Sequence, residues 1–158
     1  MAPTRCGALP VKDVVKMCFS GKFTERQMYD KITKTGGLVD HLGTSDAREV
    51  CKMIDEGSQY AKLIYDAMIY QIAKQAGAMA AALEGDVDGI ILTGGISYDK
   101  YVDAELTRKL KFIAPVTVMA GEFEMEALAA GAIRVLSGEE QPKEYTGIPC
   151  WNGFDFDK

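Results

Sequence analysis

Apolar positions along most of this chain recur at helical spacing. Val11, Val14, Val15 and Cys18 share one face of a helix from Val11 to Phe19, which Gly21 ends. Thr24, with Gln27 three residues on, has the spacing of a capping box, and Met28, Tyr29 and Ile32 give the next helix a buried side. Gly36 and Gly37 close it. Ser45 or Asp46 caps a short helix through Ile54, and Gly57 stops that one. From Ser58 to about Leu83 the series Ala61, Ile64, Tyr65, Met68, Ile72, Ala76, Met79, Ala80, Leu83 predicts one long helix at the centre of the core. Met68 and Met79 are expected as core filler.

Beyond this helix the period changes. Gly89-Ile90-Ile91-Leu92-Thr93 is a short continuous apolar run, the pattern of a strand covered on both faces. Tyr98 to Phe112 reads as a helix, Pro115 to Met119 as a second strand, and about Glu122 to Leu136 as a last helix. Strand, helix, strand, helix predicts a parallel pair with a right-handed crossover. The fold class is α/β, helix-rich, with a buried and at least partly parallel sheet. Residues 1–145 form the domain, and 146–158, with Gly147, Pro149 and Gly153, an irregular tail.

A length of 158 residues suits one domain, and 47% hydrophobic with 26% charged residues excludes a disordered chain. The net charge of −5 lacks the basic face that phosphate backbones require, so no nucleic-acid partner is expected. No apolar run is long enough for a membrane span, and Met1 to Cys6 contains no hydrophobic signal core, which predicts a cytoplasmic protein without a membrane partner. Cys6, Cys18, Cys51 and Cys150 are far apart and accompanied by one histidine, His41, a composition that argues against a zinc site. Buried, reduced thiols are expected, with His41 at a surface or helix end.

Chemistry first becomes arguable at Leu92-Thr93-Gly94-Gly95-Ile96. This turn follows a strand, at the edge where open α/β sheets bind ligands, and its glycines let a ligand approach the backbone. A bare strand–helix connection has the same appearance. Neither G-x-G-x-x-G nor G-x-x-x-x-G-K-[ST] is present.

Several ordered blocks resemble the butyrate kinases of the acetate/butyrate kinase family. They are Arg5 to Pro10, Cys18 to Lys22, Gly37 to Val50, Tyr70 to Lys74 with Gly77 to Ala81, Asp88 to Ile96, and Gly121 to Ala132. The resemblance runs from about Arg5 to Tyr145. It implies an actin-like, ribonuclease H-type lobe, matching the second half of a family member whose first lobe would carry the phosphate loop and a catalytic aspartate. The activity implied is phosphoryl transfer between ATP and butyrate or another short-chain carboxylate, giving ADP and an acyl phosphate, with Mg²⁺ on the phosphates.

Site roles follow from the same resemblance. Arg5 matches the arginine that contacts the transferring phosphoryl group, a task suited to a permanently charged guanidinium. Asp46, Ala47 and Arg48 match the nucleotide-contacting segment, and Gly94, Gly95 and Ile96 the adenosine turn. Glu124 matches the acid near the metal, with Glu122 as the alternative; each also suits the positive end of a helix. The resemblance further implies a homodimer, a missing N-terminal lobe as partner, and an isolated chain that is inactive. A non-catalytic nucleotide-binding or oligomerisation module derived from such a kinase is the other reading.

Overall fold

The computed structural model describes residues 1–149; Cys150 and the remainder of the expected tail lie outside them. The chain divides into two compact units, Met1–Glu122 and a shorter one that begins at Phe123.

The first unit opens with α1 (Val11–Cys18), α2 (Glu25–Thr33), α3 (Leu38–Leu42), α4 (Ala47–Asp55) and α5 (Gln59–Ala82). It continues with β1 (Ile90–Gly94), a 3-10 turn (Gly95–Tyr98), α6 (Lys100–Leu110) and β2 (Val116–Ala120). The predicted helix starts are set by side-chain caps. At α2 the Gln27 N–H donates to Thr24 Oγ1 at 3.3 Å and the Thr24 N–H to Gln27 Oε1 at 2.8 Å, a reciprocal capping box. Asp46 caps α4, and Ser58 Oγ accepts the Ala61 N–H at 3.2 Å to cap α5. The element expected from Tyr98 is divided: a 3-10 turn ends at Tyr98, and Asp99 caps a separate α6.

The core gathers Leu38, Val50, Ile64, Tyr65, Met68, Ile69, Val102, Leu106 and Leu110, one buried stripe from each of α3 to α6. Burying such a side chain stabilises the fold by roughly 1.5–3 kcal/mol. α5 is central as predicted, but its buried positions stop at Ile69. Met79 is 52% exposed, so it is surface and not core filler. α1 buries none of its residues; Cys18 is therefore exposed, whereas Cys6 and Cys51 are half-buried. No disulfide occurs among the described residues.

β1 and β2 pair in parallel, in register from Ile90 opposite Val116 to Gly94 opposite Ala120. Ile90 and Leu92 pack against the core, while Ile91, on the other face, is 64% exposed. Within the first unit, α5 and α6 thus cover one face of β1, the face of Ile90 and Leu92.

The first residues lie against α2 and α3. Cys6 donates to the Ile32 carbonyl at 3.2 Å, Gly36 to Thr4 at 3.0 Å, and Val39 to Pro3 at 3.0 Å. Gly36 and Gly37 therefore do more than end a helix. A Cβ on Gly37 would stand 1.8 Å from the Ala2 carbonyl oxygen, and its φ of +64° is one that favours glycine.

The second unit contains α7 (Glu124–Leu136), capped by backbone bonds and followed by an Arg134–Glu140 ion pair at 3.0 Å. Residues 137–149 form turns and irregular chain. No helix among the described residues is long and apolar enough to cross a membrane.

Candidate functional site

An open cavity of about 930 Å³ lies between α4 and the turn after β1. Ser45, Asp46, Ala47, Arg48, Cys51, Lys52 and Asp55 line one side, Gly95, Ile96, Tyr98, Asp99 and Lys100 the other, with Pro3 joining them. The segments Asp46–Arg48 and Gly95–Ile96, singled out separately in the sequence, therefore meet at one cavity.

The α4 wall begins with a compact ion pair. Asp46 Oδ1 accepts the backbone N–H of Arg48 at 2.9 Å and its Nε–H at 3.0 Å, while Nη2 reaches Oδ2 at 2.5 Å. The Arg48 guanidinium first, and its backbone N–H second, bring the Asp46 carboxyl down to about 2. Helix cap and cavity wall are the same residue.

The opposite wall depends on two glycines. Gly94 has a φ of +85°, which a side chain would strain, and it turns the chain from β1 into the 3-10 turn. At Gly95 the reason is space. A Cβ there would meet only Glu122 Oε1, at 3.9 Å, so the glycine leaves the cavity open.

Asp99, itself part of the lining, ties the two walls together. Its Oδ1 accepts the Tyr101 N–H at 2.9 Å as the α6 cap; Oδ2 accepts the Tyr65 hydroxyl at 2.6 Å and the Cys51 thiol at 3.1 Å. Burial works to raise the Asp99 carboxyl, but these donors outweigh it and hold the group below its ordinary value. Burial and then the neighbouring Asp99 push the Cys51 thiol up to about 11, and the same two causes raise the Tyr65 hydroxyl.

The remaining expected site residues lie elsewhere. Arg5 is exposed in the N-terminal segment, makes no side-chain hydrogen bond or ion pair among the described residues, and is absent from the cavity lining, although Pro3 reaches it. Glu124 is the exposed first residue of α7 in the second unit. His41 is exposed in the last turn of α3, with Nδ1 3.1 Å from the Tyr60 hydroxyl. Among the described residues no three His, Cys, Asp or Glu side chains are grouped to hold a metal ion.

A model described as the acetokinase family matches residues 1–133. The chain belongs to the acetokinase family. Its curated relatives include a probable butyrate kinase 2 of Caldanaerobacter subterraneus subsp. tengcongensis, 55% identical over 144 residues, and butyrate kinase 2 of Clostridium acetobutylicum, 51% identical. Both matches cover 91% of this chain but only 41% and 40% of the relatives, so the chain spans about two fifths of their length. Among solved structures, Porphyromonas gingivalis acetate kinase matches with a TM-score of 0.75 at 23% identity, over 86% of this chain and 40% of that one. Acetate kinase from Entamoeba histolytica matches at 0.70 and 20% identity, over 84% and 42%. These likenesses establish an actin-like ATPase fold for this acetokinase-family chain.

Several cavity residues escape a reading by resemblance. Cys51 and Asp55 follow Ala47 at steps of one helical turn each, so the spacing alone places all three on one face of α4. Asp99 carries the signature of a helix cap, an aspartate just ahead of an apolar-periodic run. Pro3, Tyr98 and Lys100 reach the cavity through tertiary folding, and no local signal marks them.

Proposed function

We propose that this chain is the nucleotide-binding part of a carboxylate kinase, one that transfers a phosphoryl group between ATP and butyrate or a similar short-chain acid. The observation carrying the reading is that Asp46, Ala47 and Arg48 line the same cavity as Gly95 and Ile96. In this reading the adenosine lies over the Gly94–Gly95–Ile96 turn, where the glycines put no side chain in its way. Asp46 and Arg48 face the nucleotide from α4, and Arg5 contacts the phosphoryl group in the assembled enzyme.

Magnesium fits this site as a companion of the phosphates. Mg²⁺ is held in kinases by one or two carboxylates together with substrate oxygens. Glu124 is the proposed carboxylate, with Glu122, close to Gly95, as the alternative. When bound, the ion neutralises charge on the phosphates; the residues here bind and orient the nucleotide.

The carboxylate site and the exclusion of water belong to the family-length protein, of which this chain spans two fifths. The proposed assembly is a cytoplasmic homodimer, with residues 1–145 as the lobe. Calorimetric titration of Mg-ADP into this chain tests the reading. Saturable binding, weakened by both Asp46→Ala and Gly95→Val, is expected. Binding unaffected by both changes would place the nucleotide elsewhere. The absence of any binding would favour the second reading, an assembly module derived from the kinase.

A further inference from the structure

Asp99 is unusual in the number of cavity-forming elements that meet on one side chain. Its Oδ1 caps α6 through Tyr101, and its own N–H donates to the Ile96 carbonyl at 3.1 Å, closing the 3-10 turn that forms one wall. Its Oδ2 receives two donors from other helices: the Cys51 thiol on α4, the opposite wall, and the Tyr65 hydroxyl on α5, which is fully buried. An ionised carboxylate has only acceptor sites, and every polar contact described here is a donor.

The link across the cavity is narrow. α4 meets the Asp99 carboxylate through Cys51 alone, at 3.1 Å, while Tyr65 ties the carboxylate to the core. Cys51 itself lines the cavity. Its thiol is held in the donor state by burial and by Asp99. The same carboxylate thus joins the helix bearing Asp46 and Arg48 to the turn bearing Gly95 and Ile96.

We propose that Asp99 is a positioning residue for nucleotide binding, its carboxylate setting the separation of the α4 and Gly95–Tyr98 walls through the Cys51 thiol. The inference rests on the nucleotide reading of the cavity and goes beyond it. Asp99 acts by holding the walls, and the contacts with the nucleotide are made by others.

The test compares the full chain with Cys51→Ala, Cys51→Ser and Tyr65→Phe, using calorimetric titration of Mg-ADP, thermal melts and amide hydrogen exchange without nucleotide. Cys51→Ala is expected to weaken Mg-ADP about tenfold, the scale of one hydrogen bond to a charged acceptor, and to speed exchange in the first turns of α4. Cys51→Ser keeps a hydroxyl donor and is expected to restore both. A role in stability alone would lower the melting temperature of Cys51→Ala while leaving its affinity at wild-type level, which would overturn the proposal. Equal affinities in Cys51→Ala and Cys51→Ser would overturn it too. If the wild-type chain binds no Mg-ADP, the nucleotide reading fails by itself. The wall-setting role is then decided by exchange, and unchanged α4 protection in Cys51→Ala would refute it. Tyr65→Phe, which leaves the α4 link intact, is expected to lower the melting temperature more than the affinity.

Discussion

The Asp46 carboxylate is clasped twice by one neighbour, accepting the Arg48 backbone N–H at 2.9 Å and the Arg48 guanidinium Nε–H at 3.0 Å. This holds Asp46 at about 2 against an ordinary 3.8. A carboxyl depressed by folding stabilises the native state fully above its unfolded value and loses that contribution as pH falls through its folded value. The cap is therefore intact above pH 3.8 and dissolves toward pH 2. A carbon-detected NMR titration should give a midpoint near 2 for Asp46, rising toward the ordinary value in Arg48→Ala. An unshifted midpoint in that variant would remove Arg48 as the cause.

Thiol chemistry separates two cysteines that look alike in sequence. Cys18 is exposed on α1, whereas Cys51 is half-buried beside Asp99, its thiol pushed up to about 11. Because the thiolate is the nucleophile, iodoacetamide at mildly alkaline pH should alkylate Cys18 well before Cys51. Asp99→Asn removes the neighbouring charge and should speed labelling at Cys51. Peptide mapping by mass spectrometry reads both sites, and equal rates in the wild-type chain would contradict the assignment.

Gly37 admits no side chain. With φ at +64° and the Ala2 carbonyl 1.8 Å from a built Cβ, Gly37→Ala must displace the N-terminal segment from α3. A loss of at least ~2 kcal/mol is expected by urea denaturation, from backbone strain plus steric conflict. Gly95→Ala, in open space, should change stability by less than ~1 kcal/mol. Similar losses at both glycines would refute the distinction.

Along α5 the same residue type has opposite values. Met68 is fully buried and Met79 is 52% exposed. Met68→Ala is expected to cost ~2–5 kcal/mol, and Met79→Ala within ~0.5 kcal/mol. Hydrogen exchange should follow the same gradient, slow through Ile69 and faster toward Ala82. Uniform protection along the helix would show that burial does not govern its stability.

What the sequence made legible was local. Thr24 with Gln27, Asp46 and Ser58 mark helix starts by chemistry complete within a few residues, and the apolar runs at Ile90 and Val116 mark the parallel strands. Coverage was not legible. Periodicity states which face of α1 or β1 is apolar, but whether another element covers it depends on neighbours, so the exposed Cys18 and Ile91, at 64% exposure, correct the expectation of burial. The Cys51–Asp99–Tyr65 cluster was equally hidden, because its members come from three elements and none is remarkable alone. The glycine turn was visible through its resemblance, but its pairing with Asp46–Arg48 needed the folded cavity.

The parallel pairing of β1 with β2 fixes an address. Both strands run toward the same rim, so whatever follows β2 is delivered beside whatever follows β1; Glu122 Oε1 thus stands 3.9 Å from the position a Gly95 Cβ would take. The crossover through α6 can lengthen or shorten on the far side without altering that delivery, since register and not loop length sets the coordinates. Chemistry at this rim is therefore insulated from insertions in the far-side connection between α6 and β2. An acid placed just after the second strand remains a neighbour of the first strand's turn.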